Sequence, residues 1–367
     1  MIEGLRIKGF KRFLDQEFSF SRLNVLTGLN GSGKSTVLQA ILLSHSAARG
    51  VGIQAIGLNP SDGVGLGGAS DVLNTFSSTD QIAITVWNGD HRAEVTLECG
   101  PGDSSGMRTS IPISGIIGDF PSPLGRSGLF QYLGAERLGP KLFYPVAVDG
   151  ISEIAVGGDG SLTANVLANQ GRAVVPEKRR HGSQTTVTTL GAQAEAWLSQ
   201  MVGATRIRTS LLPRLPLATL EFKGPDVGDE WTLPVNTGFG FSYCLPVIVA
   251  GLVVPEGGIL IVDSPEAHLH PAAQSAMGEF LANVASDGVQ VFVETHSDHV
   301  LNGIRRSLIR REALNVGDVE VLFFSKEAVT RVEVNSRAAM RPMPPGFFDQ
   351  IELDLAQIVR GRPGGAG

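Results

Sequence analysis

Residues 28–36 read GLNGSGKST and follow the short apolar stretch LNVLTG (23–28), and no other stretch restricts the fold as strongly. Glycines at 28, 31 and 33 let the backbone curl so that successive N–H groups converge on one small anion. After Thr36 the chain reads VLQAILLSHSAARG, with Val37, Ile41 and Leu42 on or near one face and Gly50 as a stop. A helix therefore starts where the loop ends and aims its positive dipole end into the same space. Strand, GxxxxGK[ST] and helix together form a phosphate-binding context. The candidate nucleotide contacts are Gly28, Asn30, Gly31, Ser32, Gly33, Lys34, Ser35 and Thr36. Lys34 is expected on the β/γ-phosphates, Ser35 on Mg²⁺ and Thr36 on the α-phosphate side. A glycine-rich turn without ligand is the competing reading, and the fully occupied pattern disfavours it.

Three further motifs extend the site. ILIVDSPEAHLHP (259–271) describes a buried strand delivering Asp263 to its C-terminal edge, where a carboxylate would hold Mg²⁺ through water. Glu266 follows three residues on. ETHSDH (294–299) again ends an apolar strand, and His296 there would sense a γ-phosphate or its attacking water. A competing metal site would draw on His268, His270, Glu294, His296, Asp298 and His299. THSDH is similar to part of the metallo-β-lactamase motif, but Glu294 stands where that motif has a further His. NTGFGFSY (236–243) opens a helix with Gly238, Gly240 and Ser242, a second anion-binding turn and the weakest signal alone.

The rest of the chain alternates strand and helix. IEGLRIKGFKRF reads as the first strand and LNVLTG as the next; 81–99 reads as a hairpin around Asn88-Gly89-Asp90. PGDSSGMRTS (101–110) reads as a mobile loop, QYLGAERLGP (131–140) as a strand running into a polar turn, and EKRRHGSQ (177–184) as a charged loop. Helices are expected over 192–203, 242–254, within 270–288 and over 299–312, with strands over 258–263, 289–295 and 319–325. The 367 residues suit one large domain, and 46 glycines with 20 prolines imply many loops. A net charge of −6 argues against generic coating of nucleic acid, leaving local basic stretches at RRSLIRR (305–311) and EKRRHG (177–182). Two cysteines, no apolar leader and no run long enough for a bilayer lead to an expected cytoplasmic protein without membrane contact.

The motif order resembles the ATP-binding-cassette (ABC) type of ATPase head found in SMC proteins, RecF and the OLD (overcoming lysogenization defect) nucleases. It is closer still to stand-alone prokaryotic AAA-type ATPases with an ENPEAHLHP-like motif, through YLGAERLGP, VNTGFGFSYCLPVIVAGL, SPEAHLHPAAQS, GVQVFVETHSDHVLNGIRR and PPGFFDQ. The resemblance implies an α/β P-loop NTPase with a mixed central sheet, flanking helices, an antiparallel β subdomain and an inserted helical region. It implies one ATPase domain over 1–340, with a β-rich lobe at 51–145, a helical insertion at 150–230, and the signature-like turn, Asp263 strand and switch histidine within 235–325. Residues 341–367 form a tail. It casts 28–36 as Walker A, Asp263 as the Walker B carboxylate, His296 as the switch histidine and 236–242 as a signature without an LSGG string.

Ser264 stands where many cassette ATPases place the catalytic glutamate, so either Glu266 substitutes or hydrolysis is slow. No Q-loop residue is assignable, and Gln131 is a guess. The implied function is an ATP- and Mg²⁺-dependent homodimerisation switch controlling an effector encoded nearby, in phage defence or DNA repair. Direct DNA binding through Arg305, Arg306, Arg310 and Arg311, and a metal-dependent hydrolase, are the alternatives.

Overall fold

The computed structural model describes residues 1–49, 54–59, 65–100, 109–147, 155–184, 186–226, 230–310 and 314–360. In chain order the first elements are β1 (Gly4–Phe10), β2 (Phe13–Ser19), β3 (Leu23–Gly28), α1 (Lys34–Arg49), β4 (Ala55–Gly57), α2 (Ala69–Val72), β5 (Gln81–Trp87), β6 (Arg92–Glu98) and β7 (Ser110–Gly118). Then come β8 (Phe130–Leu133), β9 (Tyr144–Pro145), α3 (Thr163–Gln170), α4 (Leu190–Val202), β10 (Arg206–Leu211), β11 (Leu217–Lys223) and α5 (Phe239–Val253). The remainder is β12 (Ile259–Asp263), α6 (Pro271–Ser286), β13 (Gln290–Glu294), α7 (Asp298–Arg310), β14 (Val319–Phe324), β15 (Val329–Val334), β16 (Met340–Arg341) and α8 (Gln350–Arg360).

The expected mixed central sheet has seven strands in the order β16-β15-β14-β3-β13-β12-β8. Its β14, β3, β13, β12 and β8 run parallel, whereas β15 joins antiparallel. Every residue of β13 is buried, as expected of a parallel strand covered on both faces. Alternate residues feed two separate cores. Phe292, Ile259, Ile261 and Leu26 pack with Val37, Leu38 and Ile41 of α1 and with the antiparallel lobe. Val291, Val293, Leu260, Val262 and Val25 pack instead with α4, α5, α6 and α7. The antiparallel lobe is a six-stranded sheet, β2-β1-β5-β6-β7-β4.

Several local expectations change. The first strand ends at Phe10 and returns as β2, paired through Phe10↔Phe13, so LNVLTG is the third strand and not the second. Strand β7 and helix α3 add to the expected elements. Residues 101–108 of the anticipated mobile loop lie outside the described residues. The tail over 341–367 contains α8, and Phe347 of its GFFDQ stretch is buried edge-on against Phe323 at 5.5 Å.

Candidate functional site

The central sheet brings four chemical groups to one edge. β3 feeds the glycine loop, β13 lies beside it, and β12 lies next, with Asp263 and Glu294 as register partners and Glu294 also opposite Leu26. The loop conformation requires its glycines. Gly28, Gly31 and Gly33 have φ of 130°, 69° and 98°. A Cβ at Gly28 would lie 2.1 Å from the Phe324 carbonyl oxygen, so that position is closed to other residues.

Lys34 is buried under the loop, where its Nζ donates to the carbonyls of Gly28 (3.1 Å) and Leu29 (2.9 Å) and lies 3.7 Å from Glu294 Oε1. Asn30, Gly31, Ser32, Gly33, Lys34, Ser35, Thr36 and Glu294 line a cleft of about 380 Å³ together with Lys11, Arg12 and Gln39. A second cleft of about 740 Å³ shares Ser35 and Gln39 with the first, reaches Asp263 and runs along the 134–141 loop. Backbone N–H groups at a helix start, a lysine and hard oxygen donors on one edge suit a phosphate chain.

Burial disfavours charge on the carboxylates at this edge. Glu294 is raised to about 7, first by burial and second by the nearby Asp263 charge, against the opposing pull of Ser35 and Lys34. Asp263 is raised by burial as well, opposed first by the Ser264 hydroxyl, which donates to its Oδ1 at 2.8 Å. His296 is exposed, and its pKa is lowered by desolvation and then by Lys34. Glu266 points at the turn after β13: Thr295 Oγ1 donates to its Oε2 (2.8 Å) and the His296 N–H to its Oε1 (2.7 Å).

The signature-like turn divides into an exposed and a buried part. Gly238 and Phe239 are exposed at the start of α5, and Phe239 stacks on His268 at 5.3 Å. Ser242, expected to take part in an anion-binding turn, is instead 5% exposed and turned into the protein.

Arg137 carried no expected role. It lies in the ERL turn after β8, only 3% exposed. Its Nη2 donates to the carbonyls of Asp263 and Ser264 (the latter at 2.9 Å), and its Nη1 reaches the Tyr243 carbonyl at 3.5 Å. One guanidinium thus ties the 134–141 turn to the end of β12 and to α5. Gln131, the guessed Q-loop residue, is buried within β8, where its side-chain oxygen accepts from the Val156 N–H at 3.4 Å.

The groups invoked by the alternatives are dispersed. His268 packs between Phe239 and Tyr243, His270 caps α6 and His299 lies 3.7 Å from Asp298. Among the described residues no three His, Cys, Asp or Glu side chains gather to hold a metal. In the basic helix, Arg306 and Arg310 both pair with Glu279, and Arg305 donates to the Ala338 carbonyl. Arg311 lies outside the described residues. The charged loop at 177–184 also differs from its expectation, since Arg179 is 1% exposed and bonds Asp287 at 2.8 Å. Among the described residues no helix is long and apolar enough to cross a membrane.

Two stretches match known families. Residues 4–46 match an AAA-domain model, and residues 204–302 match one described as "AAA domain, putative AbiEii toxin, Type IV TA system". Over the whole chain, an SMC head domain with an extended coiled coil from Pyrococcus furiosus superposes with a TM-score of 0.51 at 13% identity. That match covers 98% of this chain and 99% of that one. The fold is that of an SMC head. An SMC head bound to the winged-helix domain of ScpA (TM-score 0.49, 15% identity, 90% and 96% covered) is also similar. So is the recombination mediator protein RecF of the RecFOR pathway (TM-score 0.44, 12% identity, 90% and 98% covered), and neither adds to the argument. No curated protein matches the sequence. The two AAA-domain matches and the SMC-head fold agree with the expected α/β P-loop architecture.

Proposed function

We propose that this chain binds and hydrolyses ATP and uses the nucleotide to switch between separate and paired heads. The observation that supports it most is the convergence of Lys34, Ser35, Asp263, Glu294 and His296 around one glycine loop at the edge of β3, β13 and β12. The loop N–H groups and Lys34 would hold the β- and γ-phosphates. Ser35 and Asp263 supply a hydroxyl and a carboxylate, hard oxygen donors that fit Mg²⁺, whose charge would offset that of the phosphates. His296, exposed at the same edge, would contact the γ-phosphate. Gly238, Phe239 and Gly240 are accessible enough to meet the nucleotide of a second head, whereas Ser242 would support that turn from inside.

An ATP-joined pair of heads is a control device, and the coupled process would lie in a partner that acts on nucleic acid. A phage-defence or DNA-repair setting falls within that reading. The direct DNA-binding alternative is less favoured because Arg306 and Arg310 are paired with Glu279.

Calorimetry with ATP and Mg²⁺ tests the nucleotide site. Lys34→Ala should weaken ATP binding at least about 100-fold, some 2.8 kcal/mol, while circular dichroism stays unchanged. A folded variant with unaltered affinity overturns the proposal.

A further inference from the structure

We infer that Glu294, and not Glu266, is the carboxylate that takes the proton of the attacking water, which rests on the ATPase reading above. Ser264 follows Asp263 directly and lacks the acidity range of a base, so the base must come from elsewhere on this edge. Glu266 has both oxygens engaged, one by the Thr295 hydroxyl and one by the His296 N–H. Those two bonds make it a brace that fixes the turn after β13 and with it the position of His296.

Glu294 is placed differently. Its strand is inserted between the strand that feeds the glycine loop and the strand that ends in Asp263, so its side chain rises between the two halves of the site. The side chain is 7% exposed, and it lines the glycine-loop cleft. Lys34 approaches its Oε1 and the Ser35 hydroxyl also hydrogen-bonds the carboxyl, while Oε2 is buried with no hydrogen-bond partner among the described residues. A desolvated carboxylate oxygen buried beside a polar cleft is costly unless something donates to it. A water held there, in the phosphate-bearing cleft, is the donor that fits.

In the reaction, the water oxygen bonds to the γ-phosphorus as the bond from phosphorus to the β,γ-bridging oxygen breaks. ADP leaves with that electron pair, and the water proton passes to Glu294. Lys34, 3.7 Å from the same carboxylate, would keep that proton acceptor beside the γ-phosphate.

The test compares Glu294→Gln and Glu294→Asp with Glu266→Gln, using ATP affinity by calorimetry, single-turnover phosphate release, and light scattering with ATP and Mg²⁺. Both Glu294 variants should bind ATP within about tenfold of the parent, which also certifies their fold. They should lose at least about 100-fold in phosphate release, and E294Q should accumulate the ATP-bound assembly. Glu266→Gln should keep more than a tenth of the rate and lower the melting temperature. An E294Q protein that releases phosphate within threefold of the parent overturns the inference while leaving the ATPase reading intact. A parent protein that binds no ATP overturns both.

Discussion

Ser264 adopts a left-handed backbone, φ 50°, directly after Asp263, and its hydroxyl donates to Asp263 Oδ1 at 2.8 Å. A side chain there leaves the direction of β12, so inserting an acid does not simply recreate a strand-end base. Ser264→Glu would delete the bond to Asp263 and add an anion among Asp263, Glu266 and Glu294. We expect it to cost about 1–2 kcal/mol, to lower the melting temperature by a few degrees, and not to speed phosphate release. Scanning calorimetry with a phosphate-release assay checks both, and a faster, equally stable variant contradicts the assignment. Residue types at this edge were legible because the glycine loop and the Asp-ended strand are local patterns. The tasks of Arg137, Glu266 and Glu294 were not. Arg137 acts on carbonyls 126 and 127 residues away, and Glu266 on a turn 29 and 30 residues away. A buried guanidinium and a bracing carboxylate have no sequence period by which to find them.

Element pairing shows a similar division. Strands β3, β12, β13 and β14 and the long helices were readable from apolar runs and helical spacing. β2 was hidden because FLDQEFS has charges inside it and buries chiefly Phe13 and Phe18, and β7 because SIPISGIIG contains Pro and Gly. The α6–α7 crossing depends on two glycines with no marker in the sequence. A Cβ at Gly278 would lie 2.1 Å from the Val300 carbonyl oxygen, and one at Gly303 would lie 2.0 Å from that of Ser275. Gly303→Ala should therefore separate the helices and cost about 1–3 kcal/mol, read as a lower denaturant midpoint. Because α7 begins at Asp298, just past His296, the same variant should slow phosphate release. On the opposite face, α1 leans on β8 through His45, stacked on Phe130 at 3.9 Å. Burial drops the His45 pKa to about 4 from 6.5, so the folded protein holds the ring neutral. The associated stability is present above pH 6.5 and is lost as pH falls toward 4, about 3 kcal/mol in all. Acid titration of the midpoint should show that slope, and His45→Phe should flatten it.

At the scale of the whole molecule, the proposed switch makes one physical demand: ATP must bring two heads together. Light scattering should report a mass increase with ATP and Mg²⁺ that ADP does not sustain, and Phe239→Asp should abolish it while leaving calorimetric ATP affinity within about threefold. A protein that stays monomeric with saturating ATP contradicts the paired-head model. The central sheet has a further consequence, in the order of synthesis. β3, which bears the glycine loop, finds its neighbours only in β13 and β14, and the first residues are tied to that region too. Gln290 bonds both the N–H and the carbonyl of Ile2 across 288 positions of sequence. At about 5–20 residues per second, the loop leaves the ribosome roughly 15–60 s before its sheet partners exist. During that interval the motif that looks most self-sufficient in the sequence has no floor beneath it. Nascent chains stalled before residue 290 should pass through immobilised ATP unretained, and chains that extend well past residue 324 should bind, so that nucleotide capture marks the arrival of β13 and β14 beside β3.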